Sequence, residues 1–304
     1  MVANAIAKQA ATASASDARG RLLAQMPVTE KRISLAGVST AVLEGGDGPP
    51  LVLLHGPGEY AAKWLRVIPE LAATHRVIAP DLPGHGSSAA EQAALDVDAV
   101  LAWLDELIDR TCATPPVLVG HIVGGAIAAR YAARHGARLK ALVLVDALGL
   151  APFQPAPEFG RALGEFVAQP SDENHDRLWE RCAFDLDALR AGMGESWQSL
   201  RAYNLDRART PSVQAAMGGL MAHFGMPAIP ADELVRIAVP TTLIWGRHDL
   251  ATPLRVAEAA SQRHGWPLHV IERAADDPAI EQPVAFLQAL RACLARVPQR
   301  GGQQ

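Results

Sequence analysis

The run Val117-Leu118-Val119-Gly120-His121-Ile122-Val123-Gly124-Gly125-Ala126-Ile127-Ala128 reads as an apolar strand, a tight glycine turn and a helix of small residues. In that setting the pattern Gly-x-Ser-x-Gly throws a serine hydroxyl out above a sheet, where it attacks carbonyl carbons. Here the central position is Ile122, which can neither attack a carbonyl nor donate a hydrogen bond from its side chain. The corner suited to acyl transfer thus arrives without its nucleophile. Metal chemistry has no better support: there is no His-x-x-His or Cys-x-x-Cys spacing, and Cys112, Cys182 and Cys293 are scattered. Neither a metal nor a cofactor is expected.

The bulk composition narrows the classes further. At 304 residues, 49% hydrophobic and 20% charged, the chain has ample material for a core and the profile of an ordinary globular protein. A formal net charge of −4 with no Lys/Arg-rich run argues against a nucleic-acid surface. No apolar run approaches the ~18 residues that span a bilayer. Residues 1–28, rich in Ala and Ser, lack the basic and apolar regions of a signal peptide and read as a flexible or surface-helical arm. Residues 299–304 read as a solvated tail. An odd, sparse set of cysteines suits a reducing compartment, so a cytoplasmic location is expected. The partners expected are a small apolar ligand or substrate and, at most, further copies of the chain.

Positioning elements follow from periodicity. Candidate strands are Ser34–Leu35, Thr40–Leu43, Leu51–Leu54, Val77–Ala79, Val117–Val119, Ala141–Val145, Thr241–Trp245 and Leu268–Ile271. The central ones are continuous Val/Leu/Ile, as in strands covered on both faces. Helical patterns lie between them at Tyr60–Ala73, Val97–Ile108, Val123–His135, Arg255–Arg263 and Pro278–Ala295. This alternation predicts a mostly parallel eight-stranded α/β sheet with helices on both faces. Residues 150–230 break the rhythm with amphipathic helical segments between proline-rich ends. They read as a helical lid over the crevice of a core made of 29–149 and 231–298.

With these elements in place the chain resembles the α/β-hydrolase-fold superfamily, in the branch of ring-fission-product hydrolases. Four stretches carry the resemblance: Leu53-Leu54-His55-Gly56-Pro57-Gly58, Asp81-Leu82-Pro83-Gly84-His85-Gly86-Ser87-Ser88, the corner Gly120–Gly124, and Ile244-Trp245-Gly246-Arg247-His248-Asp249 with Glu281-Gln282-Pro283. The resemblance implies that Asp249 is the triad acid and that the Val123 N–H is an oxyanion donor. It also implies three departures. Ile122 replaces the nucleophile, Asp276 (or Asp277, one residue on) stands where the catalytic histidine belongs, and Pro57 brings no N–H to the oxyanion site. Serine acyl transfer needs these parts acting together, so the chain is not expected to be a serine hydrolase.

The residues expected to matter are Asp249 and Asp276 as a candidate acid–base pair, with Gly56, Pro57, Gly58, Glu59, His121, Ile122, Val123 and His248 around the ligand. Each has a plainer reading. Asp276 could turn outward and accept bonds from the backbone at the start of the following helix, with Asp277 as its N-cap; His55 and His121 could pack the turns as they do in the superfamily, and Glu59 and His248 could face solvent. If the family geometry holds, Asp249 and Asp276 approach one another and cannot both ionise cheaply. Three functions stay open on this reading. The first is a pseudo-hydrolase binding a small apolar ligand under its lid. The second is a lyase, cyclase, isomerase or residual hydrolase working through the two aspartates. The third is an inert structural subunit, with its pocket filled by side chains.

Overall fold

The computed structural model describes residues 17–90 and 96–296; the tail at 299–304 and most of the N-terminal arm lie outside them. Residues 17–23 form helix α1, which is followed by β1 (Thr29–Leu35), β2 (Val38–Gly45) and β3 (Pro50–Leu54). Ala18 and Leu22 on α1 are fully buried, so this part of the arm belongs to the core and departs from the expected flexible or surface segment. Next come α2 (Ile68–Ala72), β4 (Arg76–Pro80), β5 (Ala89–Ala90), α3 (Val97–Thr111), β6 (Val117–His121), α4 (Val123–His135) and β7 (Ala141–Val145).

Five helices are then inserted before the next strand: α5 (Pro157–Ala168), α6 (Asp172–Cys182), α7 (Leu186–Met193), α8 (Glu195–Ala208) and α9 (Pro211–Leu220). The chain returns through α10 (Ala231–Leu234), β8 (Thr241–Gly246), α11 (Arg255–His264), β9 (Leu268–Ile271), α12 (Pro278–Glu281) and α13 (Pro283–Ala295).

The sheet runs β1-β2-β4-β3-β6-β7-β8-β9, with the two-residue β5 pairing to β2 as a ninth strand. Pairs from β4 through β9 are parallel, whereas β2 is antiparallel to β1, β4 and β5. Strands β3, β6 and β7 are buried at every position, as their unbroken apolar runs require. One apolar cluster on each face of the sheet covers them.

Two expected helices are broken, both by proline. Tyr60–Ala73 is a 3-10 turn at Ala61–Trp64 and then α2, because Pro69 lacks the N–H that would continue one helix through it. Pro278–Ala295 splits at Gln282, where Pro283 restarts the helix at α13.

Candidate active site

The corner between β6 and α4 keeps the tight geometry the sequence pattern demands. A side chain at Gly120 would strike the Gly124 carbonyl oxygen at 2.3 Å, and one at Gly124 would meet the His55 carbonyl oxygen at 2.6 Å. Ile122 sits at φ 49° and ψ −110°, a region a β-branched residue enters only under strain of about 1–3 kcal/mol. The strain is held by main-chain bonds: the Ile122 N–H donates to Val145 O (3.0 Å), and its carbonyl accepts from Leu148 N–H (3.1 Å).

Ile122 paves a cavity of about 170 Å³ between the sheet edge and the inserted helices, walled by Phe153, Phe159, Phe166, Trp179 and Met217. At its polar end stand Glu59, Lys63, Asp276 and Asp277, with Pro57 and Gly58 beside them. Glu59 and Ile122 flank the same glycine: a side chain at Gly56 would meet Glu59 Oε2 at 2.8 Å and Ile122 Cδ1 at 3.4 Å.

Glu59 does not face solvent. Its Oε2 accepts the Gly56 N–H (2.7 Å), and its Oε1 lies 3.0 Å from Lys63 Nζ. Lys63 Nζ is also 2.5 Å from Asp277 Oδ2 and 4.5 Å from the centre of the Trp179 ring. Burial alone would raise the Glu59 carboxyl, but Lys63 and then His121 outweigh it and hold the group well below the usual carboxylate range. Burial likewise opposes charge on Lys63, yet Asp277 and Glu59 keep its ammonium protonated. Lys63 was not singled out in the sequence. The only signal was its place four residues after Glu59, a spacing that more often marks a solvated helix face.

His121 joins the network from behind. Its Nε2–H donates to the Asp276 carbonyl (2.6 Å), and its Nδ1 is 3.4 Å from Glu59 Oε2. Burial would discharge the ring, but Glu59 pushes its pKa up to about 9. His55 is different. Its Nδ1–H donates to Gly56 O (2.8 Å) and its Nε2 accepts the Leu82 N–H (2.9 Å), so both nitrogens hold neighbouring loops. Burial brings it down to about 4, and it is a neutral turn-packing residue.

The two candidate acid–base residues are separated by function, although they interact electrostatically. Asp249 accepts from the N–H groups of Ala251 (2.7 Å) and Thr252 (2.9 Å) and from the Thr252 hydroxyl. Burial still raises it to about 6. It is spent on its own loop and does not line the Ile122 cavity. Asp276 does line it, with Cys182 alongside. Burial first, then Asp249 and Asp277, hold its carboxyl well above the ordinary range.

His248 is elsewhere, in an outer crevice with Arg181, Arg247 and Arg255, its ring 4.6 Å from that of Phe184. Gly56, His121 and Val123 likewise do not line the cavity. Among the described residues no three His, Cys, Asp or Glu side chains gather as a metal site. No helix there is long and apolar enough to cross a membrane.

Residues 49–279 match the model of the alpha/beta hydrolase fold family. The chain belongs to that family. It is 33% identical to a 2-hydroxymuconate semialdehyde hydrolase from a Pseudomonas strain, over 76% of this chain and 81% of the relative. It is 29% identical to a pimeloyl-[acyl-carrier protein] methyl ester esterase from Aeromonas hydrophila, over 83% of this chain and 98% of that one. Among solved structures, a meta-cleavage product hydrolase from Pseudomonas fluorescens superposes with a TM-score of 0.73 at 27% identity, covering 88% of this chain and 98% of the other.

Two further buried carboxyls carry no signal in the sequence pattern. Asp146, at φ 44°, is fully buried; its Oδ1 accepts the Gly246 N–H (2.8 Å). Glu281 accepts from Ala275 N–H (2.7 Å) and from Phe184 N–H (2.6 Å), tying the inserted helices to the loop that carries Asp276. Burial raises Glu281 to about 8.

These shifts set a pH dependence. Glu281 holds a proton in the folded state that the unfolded chain releases near 4.5, and His121 holds one that the unfolded chain releases near 6.5. Stability present at lower pH is therefore lost as pH climbs, through about 8 for Glu281 and about 9 for His121. Differential scanning fluorimetry from pH 6 to 9 should show a falling melting temperature, with a flatter slope between pH 6 and 8 in Glu281→Gln. A melting temperature that rises over this range would contradict the assignment.

Proposed function

We propose that this α/β-hydrolase-fold protein has left serine hydrolysis and binds a small, largely apolar molecule beneath its inserted helices, which serve as a lid. One observation carries the reading: Ile122 is held at the strained corner as the floor of an apolar cavity. Strain at such a position persists where the surroundings over-determine it, as functional sites do. Two other features agree. Pro57 offers no N–H to an oxyanion, and Asp276 stands in the place expected for the histidine base. The volume left between the lid and Ile122 counts against an inert subunit with a filled pocket.

A second reading, a lyase, cyclase or isomerase, has its own support. Glu59, whose carboxyl is held low, and Asp276, whose carboxyl is held high, open on the same cavity, and carboxyls whose environments push them apart are the usual mark of an acid–base pair. In that case Glu59, rather than Asp249, is the partner of Asp276.

A serine-directed fluorophosphonate probe and a panel of p-nitrophenyl esters test the first statement. The protein should take up no probe and should turn over esters no faster than solution. Ile122→Ser should gain no measurable esterase activity, because the base and the oxyanion donor at Pro57 are still missing. Stoichiometric labelling of any serine in the native protein would overturn the proposal.

A further inference from the structure

The polar end of the cavity is internally charge-balanced. Lys63 lies between Glu59 at 3.0 Å and Asp277 at 2.5 Å. His121, the second cation, lies against Glu59 at 3.4 Å and donates to the Asp276 carbonyl. Arg207, also on the wall, is committed to Asp206 (2.9 Å) and the Gly86 carbonyl (3.0 Å). Among the described residues, the cations on this wall, Lys63 and Arg207, and His121 beside them thus already have partners within the protein. Asp276 presents its carboxyl group there, and the remaining wall is mostly aromatic and aliphatic.

Resting on the reading of the cavity as a ligand site, we propose that its ligand is an uncharged molecule. It has a single-ring or comparably small apolar body lying on Ile122 and one carbonyl or hydroxyl oxygen hydrogen-bonded by Asp276. The size follows from the cavity of about 170 Å³; cavities of about 150 Å³ lined by apolar side chains hold benzene. The charge class follows from the balance. A ligand carboxylate would enter a desolvated space in which no counter-charge is free, and an unpaired buried charge is far costlier than a hydrogen-bonded neutral oxygen. Asp249, behind Asp276, adds negative rather than positive charge to this end.

Two probes with similar bodies separate the possibilities: 4-phenyl-2-butanone, which is neutral, and 3-phenylpropionate, which is anionic. Calorimetric titration of the full chain at pH 7 should give a Kd for the ketone at least about 30-fold below that for the carboxylate. Glu59→Gln removes one anion and leaves Lys63 and His121 in excess. The carboxylate should then gain at least about tenfold relative to the ketone. Asp277→Asn removes the other anion and should act in the same direction, which guards against one variant failing to fold. Wild-type binding of the carboxylate as tight as the ketone would overturn this inference and leave the ligand site standing. An unchanged preference in folded variants would also overturn it. Failure of both probes to bind would count against the ligand site itself.

Discussion

Lys63→Met should lower the melting temperature by about 6–10 °C. The ammonium is buried against two carboxylates, and its side chain is only 7% exposed. Removing one partner of a buried ionic group costs about 3–5 kcal/mol, because the other charges are left desolvated and unpaired. For a chain of this size each kcal/mol moves the transition by about 2 °C. Methionine matches the length of the lysine stem and can rest on Trp179, so lost packing does not account for such a drop. Lys63→Arg should lose less. Adding Glu59→Gln to Lys63→Met should recover part of the loss, since the pair interact directly. A change within about 1 °C for Lys63→Met would mean that Glu59 and Asp277 are not held as carboxylates by this residue.

The second large effect lies on α1, close to the N-terminus. Arg19 on α1 reaches Asp81 (2.9 Å), Glu30 and the Tyr203 hydroxyl (3.4 Å), joining the arm to the sheet loop and to α8. Asp81 is completely buried and also accepts the N–H groups of Ala61 (2.7 Å) and Ser87 (2.7 Å). Arg19→Met leaves its carboxylate with backbone donors but no cation. The expected cost is about 3 kcal/mol, or about 6 °C in melting temperature. Removing residues 1–26 should cost more, since Leu22 and Ala18 go with Arg19. A truncated chain that melts with the full one would show that α1 does not pack as described.

What the sequence conveyed follows from which interactions are local. The central strands and the corner at Ile122 are legible because continuous Val/Leu/Ile runs and a Gly-x-x-x-Gly spacing leave few alternatives. The helix breaks at Pro69 and Pro283 could have been placed by the missing N–H alone. Residues 17–26 are hidden by composition: an Ala/Ser-rich arm looks unfoldable until the buried partners of Arg19 are known, and two of them, Asp81 and Tyr203, lie 62 and 184 residues away.

Lys63 was hidden for a similar reason, because its burial is made by Trp179 from α6 and Asp277 from beside α12. The expected Asp249–Asp276 pair is only half realised as a cavity pair. Thr252 and the backbone at Ala251 satisfy Asp249 locally, a loop bonding pattern that strand and helix periodicity does not carry.

The most direct measurement is a crystal structure of the full chain soaked with a mixture of monocyclic aromatic ketones, alcohols and esters, read at the cavity over Ile122. The account predicts one molecule packed on the Ile122 side chain, its oxygen within hydrogen-bond reach of Asp276, with no covalent bond to any residue. A covalent adduct on a protein side chain, or a cavity closed by Phe153, Phe166 and Met217 with nothing bound, would contradict it.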